Sequence, residues 1–215
     1  MATVELHPLP VTVQPGRRLV RLAVGLALYG MSMGLQVRGA LGLNPWDVLH
    51  QGLTQLTGMS FGLITMITGA VVLLCWIPLR QRPGVGTVAN VVVIGVSVDA
   101  TLAVLATPES LLARIVLMVA GIVLNGVAAA LYIGARLGPG PRDGLMTGLS
   151  RRTGWSLRLT RTGIELTVLV IGWLLGGTVG VGTVLYAISI GPLTQAFLPF
   201  LVWRPTAPEV AAPAS

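Results

Sequence analysis

Apolar stretches long enough to cross a membrane occupy most of this sequence. Only 10% of the 215 residues are charged, against about 25% in a soluble domain. About 20 apolar residues in a helix cross a hydrocarbon core of about 30 Å, and six stretches reach this length, at 18–38, 59–79, 85–106, 114–135, 157–176 and 180–202. The alternating pattern of a membrane barrel is absent. The sequence therefore predicts an all-α integral membrane protein with six transmembrane helices, because helices are the remaining way to pair every backbone group in lipid.

The chain also contains one segment twice. "LGLNPWDVLHQGLTQLTG" at 41–58 matches "LGPGPRDGLMTGLSRRTG" at 137–154, which lies 96 positions later. The same register extends outward without gaps, since "GVGTV" at 84–88 aligns with "GVGTV" at 180–184. These matches predict two membrane repeats, 18–106 and 114–202, with flexible tails at 1–17 and 203–215 on either side.

Each repeat holds three predicted spans. Because three is an odd number, the second copy enters the membrane from the opposite face, and the two copies form an inverted repeat. Inverted repeats recur in transporters, whose halves exchange conformations around a central site. Duplication is also a route to a stable six-helix bundle that transports nothing, so both interpretations stay open from the repeat alone.

The positions of the basic residues indicate how the chain is oriented. All fourteen are arginines, and a net charge of +7 could suggest a nucleic-acid partner. Only Arg38 and Arg114 fall on one side of the predicted membrane, and the other twelve fall on the other side. The positive-inside rule then predicts that both termini are cytoplasmic in a bacterial plasma membrane. Topology explains the charge without nucleic acid, and the expected environment is a lipid bilayer.

The repeated segment predicts a short helix after the first span of each repeat. In the first copy Asn44 is expected at the N-cap, Pro45 at the first helical position, and Asp47 in the first turn, where the helix dipole favours an acid. Trp46 begins an apolar face. The second copy has the same pattern with a glycine cap, in Gly140, Pro141, Arg142 and Asp143.

Two placements fit such short helices. They could lie in the headgroup plane as amphipathic helices, or they could be re-entrant and turn back into the protein. Gly52 and Gly148 favour the second placement, since glycine permits close helix packing. In that placement the two N-termini, with Asp47 and Asp143, would converge on a shared cavity. In the first placement the aspartates only cap their helices.

Polar side chains within the spans are candidates for a substrate path, because charges at membrane depth are costly. Glu165 lies midway along the fifth span, one turn after Arg161, and the two can pair. A cavity lined by such groups could bind a polar or cationic solute; a structural ion pair and helix-to-helix hydrogen bonds are the alternatives. The remaining candidates of this kind are Asp99, Asn90, Asn125 and Gln195.

Motifs of known enzymes are missing from the sequence. It has no G-x-x-x-x-G-K-[ST], no H-E-x-x-H and no G-x-S-x-G. His7 falls in a tail, His50 is taken to stand alone in a loop, and Cys75 is the single cysteine. No metal site, cofactor or enzymatic activity is therefore expected.

The repeated segment and its surroundings resemble a known family. "LNPWDVLHQGLTQLTGMSFG", "GPGPRDGLMTGLSRRTG", "RTGIELTVLVIGWLLGG" and the two "GVGT" starts are similar to the YczE/YyaS/YitT-type family of small bacterial integral membrane proteins, above all to its YczE branch. The resemblance covers about residues 18–202. It implies a multi-pass plasma-membrane protein and implies no particular activity.

Two functions remain in view from the sequence. The first is a transporter or permease for a small solute or ion, which the inverted repeat favours. The second is a membrane scaffold or regulator that binds a partner protein through the arginines between Arg136 and Arg161. The substrate, the coupling ion, and a homo-oligomer or a partner membrane protein are left open.

Overall fold

The computed structural model describes residues 9–10 and 12–203, which form eight α-helices and no strand. Of the predicted tails at 1–17 and 203–215, residues 1–8, 11 and 204–215, with His7, lie outside the described residues. The helices are α1 (Pro15–Gly39), α2 (Pro45–Thr57), α3 (Phe61–Leu79), α4 (Val85–Val104), α5 (Leu111–Gly134), α6 (Pro141–Thr153), α7 (Leu157–Leu174) and α8 (Val181–Leu201).

Five of these helices are long and apolar enough to cross a membrane, namely α1, α3, α4, α5 and α8. The sixth predicted span corresponds to α7, an 18-residue helix that carries Arg158, Arg161 and Glu165. These charges separate α7 from the five helices that qualify by length and composition. An all-helical membrane architecture is therefore present, and the sixth span stays a prediction.

Two long helices, α1 and α5, form the centre of the fold. They run antiparallel, because Gly25 of α1 lies against Tyr132 near the end of α5, whereas Gly39 lies against Arg114 near its start. Glycines let the two backbones approach closely along this contact. The largest buried cluster, which includes Leu26 and Met33, lies along α1.

The fourth and eighth helices flank this central pair at equivalent places. Gly30 of α1 packs against Ile94 of α4, and Gly126 of α5, 96 positions after Gly30, packs against Leu193 of α8. Hydrogen bonds in the connecting segments recur in the same register. The Gly182 N–H donates to the Leu41 carbonyl at 2.8 Å, and the Gly86 N–H donates to the Leu137 carbonyl at 3.0 Å. The segments before α2 and α6 are thus each held by the other half of the chain.

The two short helices have matching ends. Asn44 and Gly140 at their N-caps both have φ −64° and ψ 159°, and both helices end at glycines with positive φ, Gly58 and Gly154. In α2 the buried residues include Asp47, Val48 and His50, whereas Leu56 is 68% exposed. His50, expected in a loop, lies in this helix. The polar side of α2 therefore faces the interior.

Each short helix packs on a long helix of the other half of the chain. Gly52 of α2 lies against Leu175 at the end of α7, and Gly148 of α6 lies against Leu79 at the end of α3. A Cβ on Gly52 would lie 2.7 Å from the Leu175 Cβ and overlap it, so this contact requires glycine, whereas a Cβ on Gly148 would lie 3.1 Å from the Leu79 Cβ and make a tight contact. The contacts leave the N-terminal ends of α2 and α6 directed toward each other.

Candidate functional site

A cavity of about 80 Å³ lies where the N-terminal ends of α2 and α6 meet. This volume is large enough for several water molecules or one small polar group. Its polar lining comes from six helices and the segment before α6, and includes Tyr29, His50, Asn90, Tyr132, Arg142 and Asp143.

The start of α2 is held by its own cap. Asn44, which is 2% exposed, accepts the Asp47 N–H through Oδ1 at 3.0 Å and donates through Nδ2 to Asp47 Oδ2 at 2.5 Å. The Asp47 side chain is fully buried. One asparagine therefore fixes both the first turn of α2 and the orientation of the buried carboxylate.

The start of α6 is held by neighbouring helices. Trp76 of α3 donates through Nε1 to the Pro141 carbonyl at 2.9 Å. The Tyr132 hydroxyl of α5 donates to Asp143 Oδ2 at 3.1 Å. Gly140 at the N-cap has no side chain with which to accept a hydrogen bond. The end of α6 is thus positioned from outside the helix, while its own N-terminal backbone groups lack a side-chain cap.

Arg142 joins the two short helices. Its guanidinium lies 3.9 Å from Asp47 Oδ1 and 4.8 Å from the centre of the Trp46 ring. These contacts connect the first turn of α6 with the first turn of α2, and they match the convergence expected for re-entrant helices. Arg142 is the residue that replaces Trp46 in the second copy of the repeat, so the two copies differ at a point where they touch.

Two buried polar atoms at this junction have no hydrogen-bond partner among the described residues. They are Trp46 Nε1 and Asp47 Oδ1. Asp47 Oδ1 lies 3.3 Å from His50 Nδ1 and faces Arg142. The Trp46 side chain is 6% exposed and lines the cavity. Buried polar groups are nearly always paired in folded proteins, so an unpaired donor at a cavity points to something that binds there.

The other predicted path residues are distributed differently. Asn90 lines the cavity. Asn125 lies deeper in the centre of the fold, where it donates to Ser32 Oγ at 2.7 Å and accepts from the Tyr186 hydroxyl at 2.9 Å. Arg161 and Glu165 form the expected ion pair at 2.8 Å on the partly exposed side of α7.

Two of the predicted path residues lie away from the cavity. Asp99 accepts the Gly62 N–H at 2.7 Å and the Ser60 hydroxyl at 2.5 Å, so it caps the start of α3. Gln195 is exposed on α8. The structure therefore brings Asp47, Asp143 and Asn90 together and leaves Asp99 and Gln195 outside.

The sequence did not single out His50, Tyr29 or Tyr132 as site residues. His50 is 1% exposed and contacts Asp47 and Thr65 at 3.3 Å each. Its spacing of three residues from Asp47 was the available signal, because it places both side chains on one face of a helix. The tyrosines had no such signal, since they lie among apolar residues of spans. No group of three or more metal-binding side chains occurs in the described part of the chain.

A family model matches residues 16–199, and its description is "Family of unknown function (DUF6198)". The chain belongs to this family. The matched range includes every residue that lines the cavity.

Three curated relatives support the same assignment. An uncharacterized protein of Haemophilus influenzae is 41% identical over 87% of the chain and 86% of its own length. The uncharacterized membrane protein YczE of Bacillus subtilis is 35% identical over 88% of the chain and 92% of its own length. The uncharacterized protein YyaS of the same organism is 26% identical over 83% of the chain and 90% of its own length. The resemblance to the YczE branch is therefore confirmed. No solved structure matches the chain significantly.

Proposed function

We propose that this protein is a plasma-membrane transporter that moves a small solute by alternating access through the cavity between α2 and α6. In this proposal the chain has six spans arranged as two inverted repeats, and both termini are cytoplasmic. The apolar helices and the membrane-protein relative support a location in the bilayer. The names of the relatives state no activity, so the proposal is based on the geometry.

The helix α7 supplies the sixth span in this proposal. Eighteen residues of helix are about 27 Å long, close to the thickness of a hydrocarbon core. Arg158 and Arg161 lie near its cytoplasmic end, where long side chains can extend to the interface. Glu165 pairs with Arg161, and a paired charge is less costly in a membrane than a single one.

The main support for the proposal is a difference between two equivalent helix pairs, α3 with α4 and α7 with α8. In the first copy α3 packs along α4, and Gly95 of α4 lies against Met66 and the Gly62 carbonyl. In the second copy α7 and α8 make no comparable contact, and nothing lies within 4 Å of the Cβ position of Gly191, the repeat mate of Gly95. One pair is thus closed and its counterpart is open.

Two inverted copies in opposite states are what alternating access requires. When the halves exchange conformations, α7 and α8 close while α3 and α4 separate, and the site becomes accessible from the other face. With cytoplasmic termini, the α7–α8 opening faces the cytoplasm. The converging N-termini of α2 and α6 lie between the two helix pairs, where a carried solute would bind.

Pairs of cysteines test this exchange directly. Cys75 is replaced by alanine, and Gly69→Cys with Val91→Cys reports the closed pair, because the two Cβ positions are 3.6 Å apart and fall within the range of a disulfide. Thr162→Cys with Gly191→Cys, at the repeat positions of Met66 and Gly95, reports closure of α7 on α8. Both pairs should cross-link in membranes with a short thiol-reactive reagent, since both states are visited.

The decisive result comes from the chain that carries both pairs. An oxidised Gly69–Val91 pair should prevent cross-linking of the Thr162–Gly191 pair, and reduction should restore it. If the second pair never cross-links, or cross-links regardless of the first, alternating access is wrong. If the cross-links report a single state, and if replacing Arg151 and Arg152 causes loss of function, the results would instead support a membrane scaffold or regulator that binds a partner protein.

A further inference from the structure

The cavity between the short helices presents hydrogen-bond donors that nothing accepts. Arg142 carries five N–H donors, yet it forms no hydrogen bond with any residue in the described ranges, and its ion-pair distance to Asp47 is 3.9 Å. The indole N–H of Trp46 is buried beside it without a partner. Leaving the buried Trp46 donor unpaired is costly, and the Arg142 side chain beside it, which is 25% exposed, keeps its donors free, so a ligand that accepts hydrogen bonds is the expected occupant.

The carboxylates of the cavity have more interaction partners within the protein than these donors have. Asp143 accepts from the Tyr132 hydroxyl, and Arg142 and Arg161 both act on it electrostatically. Asp47 accepts from Asn44 and faces Arg142 through its second oxygen. One acceptor, Asp47 Oδ1, is left without a hydrogen bond, although His50 and Arg142 face it. The donors without a partner, the Arg142 N–H groups and the Trp46 N–H, outnumber this one acceptor, which favours an anion over a cation.

The start of α6 adds to this preference. Asn44 caps α2 through its side chain, whereas Gly140 at the same position of α6 has none. The first N–H groups of a helix have no partner within the helix, and together with the dipole they attract anionic groups. The uncapped end of α6 borders the cavity beside Arg142.

An apolar groove adjoins the polar cavity. It lies between α2, α6 and α7 and is lined mainly by apolar side chains, among them Leu145, Leu149, Ile164 and Val168. Trp46 lines both the groove and the cavity. A ligand with its polar end at Arg142 could therefore place an apolar body against Trp46 in the groove.

We propose that the cavity and the groove together bind a small organic monoanion, a carboxylate with an apolar body. The carboxylate accepts from Arg142 and the Trp46 indole N–H, and the apolar body packs in the groove. This inference depends on the proposed transport function for its meaning, because it names the class of solute carried. Binding itself can be measured without any transport.

The test measures binding to the full chain in a non-ionic detergent at constant ionic strength. Acetate, butyrate, hexanoate and octanoate are titrated by calorimetry and by thermal unfolding, beside hexanol and hexylamine. We expect saturable binding by the carboxylates, with affinity that increases from acetate to hexanoate as the groove is filled. Hexanol and hexylamine should bind at least about tenfold more weakly, because the hexanol hydroxyl carries no negative charge and the hexylammonium group cannot accept a hydrogen bond.

Two variants of α6 separate a specific site from partition into the micelle. Arg142→Gln should weaken hexanoate binding by about tenfold or more. Arg152→Gln removes the same charge from the exposed end of the same helix, where Arg152 donates to the Pro78 carbonyl, and should leave the affinity unchanged. Trp46→Phe keeps most of the ring and removes the N–H, so it should weaken hexanoate binding several-fold.

Several results would overturn the inference. Equal affinity in Arg142→Gln and Arg152→Gln, equal binding of hexanol, or preferential binding of hexylamine would each do so. Stabilisation by phosphatidylglycerol in nanodiscs without any binding of hexanoate would assign the site to a lipid headgroup. If Arg142→Gln fails to fold, Arg142→Lys and Trp46→Phe decide in its place. Failure of carboxylate binding leaves the cross-linking result standing, so the two proposals can fail separately.

Discussion

Arg18 and Arg114, which lie 96 positions apart, make the same contact at opposite ends of the central helix pair. Arg18 Nε donates to the Ala135 carbonyl at the end of α5, and Arg114 Nε donates to the Gly39 carbonyl at the end of α1, both at 3.0 Å. Each guanidinium also donates to the carbonyl of the next residue. The last carbonyls of a helix have no partner within it, so each repeat caps the central helix of the other.

Replacing Arg18 should be among the most destabilising changes in the protein. Its side chain is fully buried and donates five hydrogen bonds to carbonyls. Arg18→Gln leaves most of these carbonyls unpaired and should lower the free energy of unfolding by about 2–4 kcal/mol. Denaturant unfolding in detergent measures this change. Arg17→Gln, at an exposed neighbouring position, is the control and should have no measurable effect.

Asn44→Ala should destabilise the protein through the start of α2. The change removes an N-cap and leaves the buried Asp47 carboxylate without its amide partner. We expect a loss of about 2–3 kcal/mol in the free energy of unfolding. Ser110→Ala is the matched control, because Ser110 caps α5 at an exposed site with a hydrogen bond of 3.5 Å. Equal losses in the two variants would contradict the importance given to the buried cap.

Two glycines of α7 should respond in opposite directions to alanine. A Cβ at Gly172 would lie 2.5 Å from the Leu49 Cα of α2, whereas nothing lies within 4 Å of a Cβ at Gly163. Gly172→Ala should push α2 away and lower the melting temperature. Gly163→Ala should stabilise the helix by about 0.5–1 kcal/mol, since alanine is the better helix former. A stable Gly172→Ala variant would mean that α2 is not held against α7.

The sequence predicted those features that depend on local pattern. Apolar length predicted the helices that became α1, α3, α4, α5 and α8, and the repeated segment predicted the short helices with Asn44 and Gly140 at their N-caps. The spacing of Arg161 and Glu165 predicted their ion pair. In each case the interacting residues lie within a few positions of one another, so the geometry of a single helix decides the outcome.

Features that depend on which side of a helix turns inward were harder to predict. Asp99 and Gln195 lie in nearly uniform apolar spans, where no periodicity marks a buried face. Asp99 turned toward the start of α3, and Gln195 remained exposed. His50 was missed although its spacing from Asp47 put both on one face of α2, because only the packing of α2 on α3 and α7 decides that this polar face is buried. At the opening between α7 and α8, the sequence differs from the first copy by Pro192 and Pro199 within α8, which by themselves do not predict that the two helices separate.

Asp99 of α4, which caps the start of α3, should influence the balance between the closed α3–α4 pair and the open α7–α8 pair. Asp99 joins α4 to the start of α3 through Ser60 and the Gly62 N–H. Asp99→Asn removes the charge from this contact and should favour separation of α3 and α4. Cross-linking of the Thr162→Cys and Gly191→Cys pair should then increase relative to the Gly69→Cys and Val91→Cys pair.

Gln195→Asp, the reverse substitution in the second copy, should also favour the closed α7–α8 pair, through a different contact. Gln195 is the repeat mate of Asp99, and Ser156 caps α7 as Ser60 caps α3. Gln195→Asp supplies a carboxylate that the start of α7 can bind once α8 approaches, so it should stabilise the closed α7–α8 pair. One charge-assisted hydrogen bond is enough to change the cross-linking ratio about tenfold. Glu109→Gln, in the exposed segment before α5, should leave the ratio unchanged, and the same ratio in all three variants would refute the exchange.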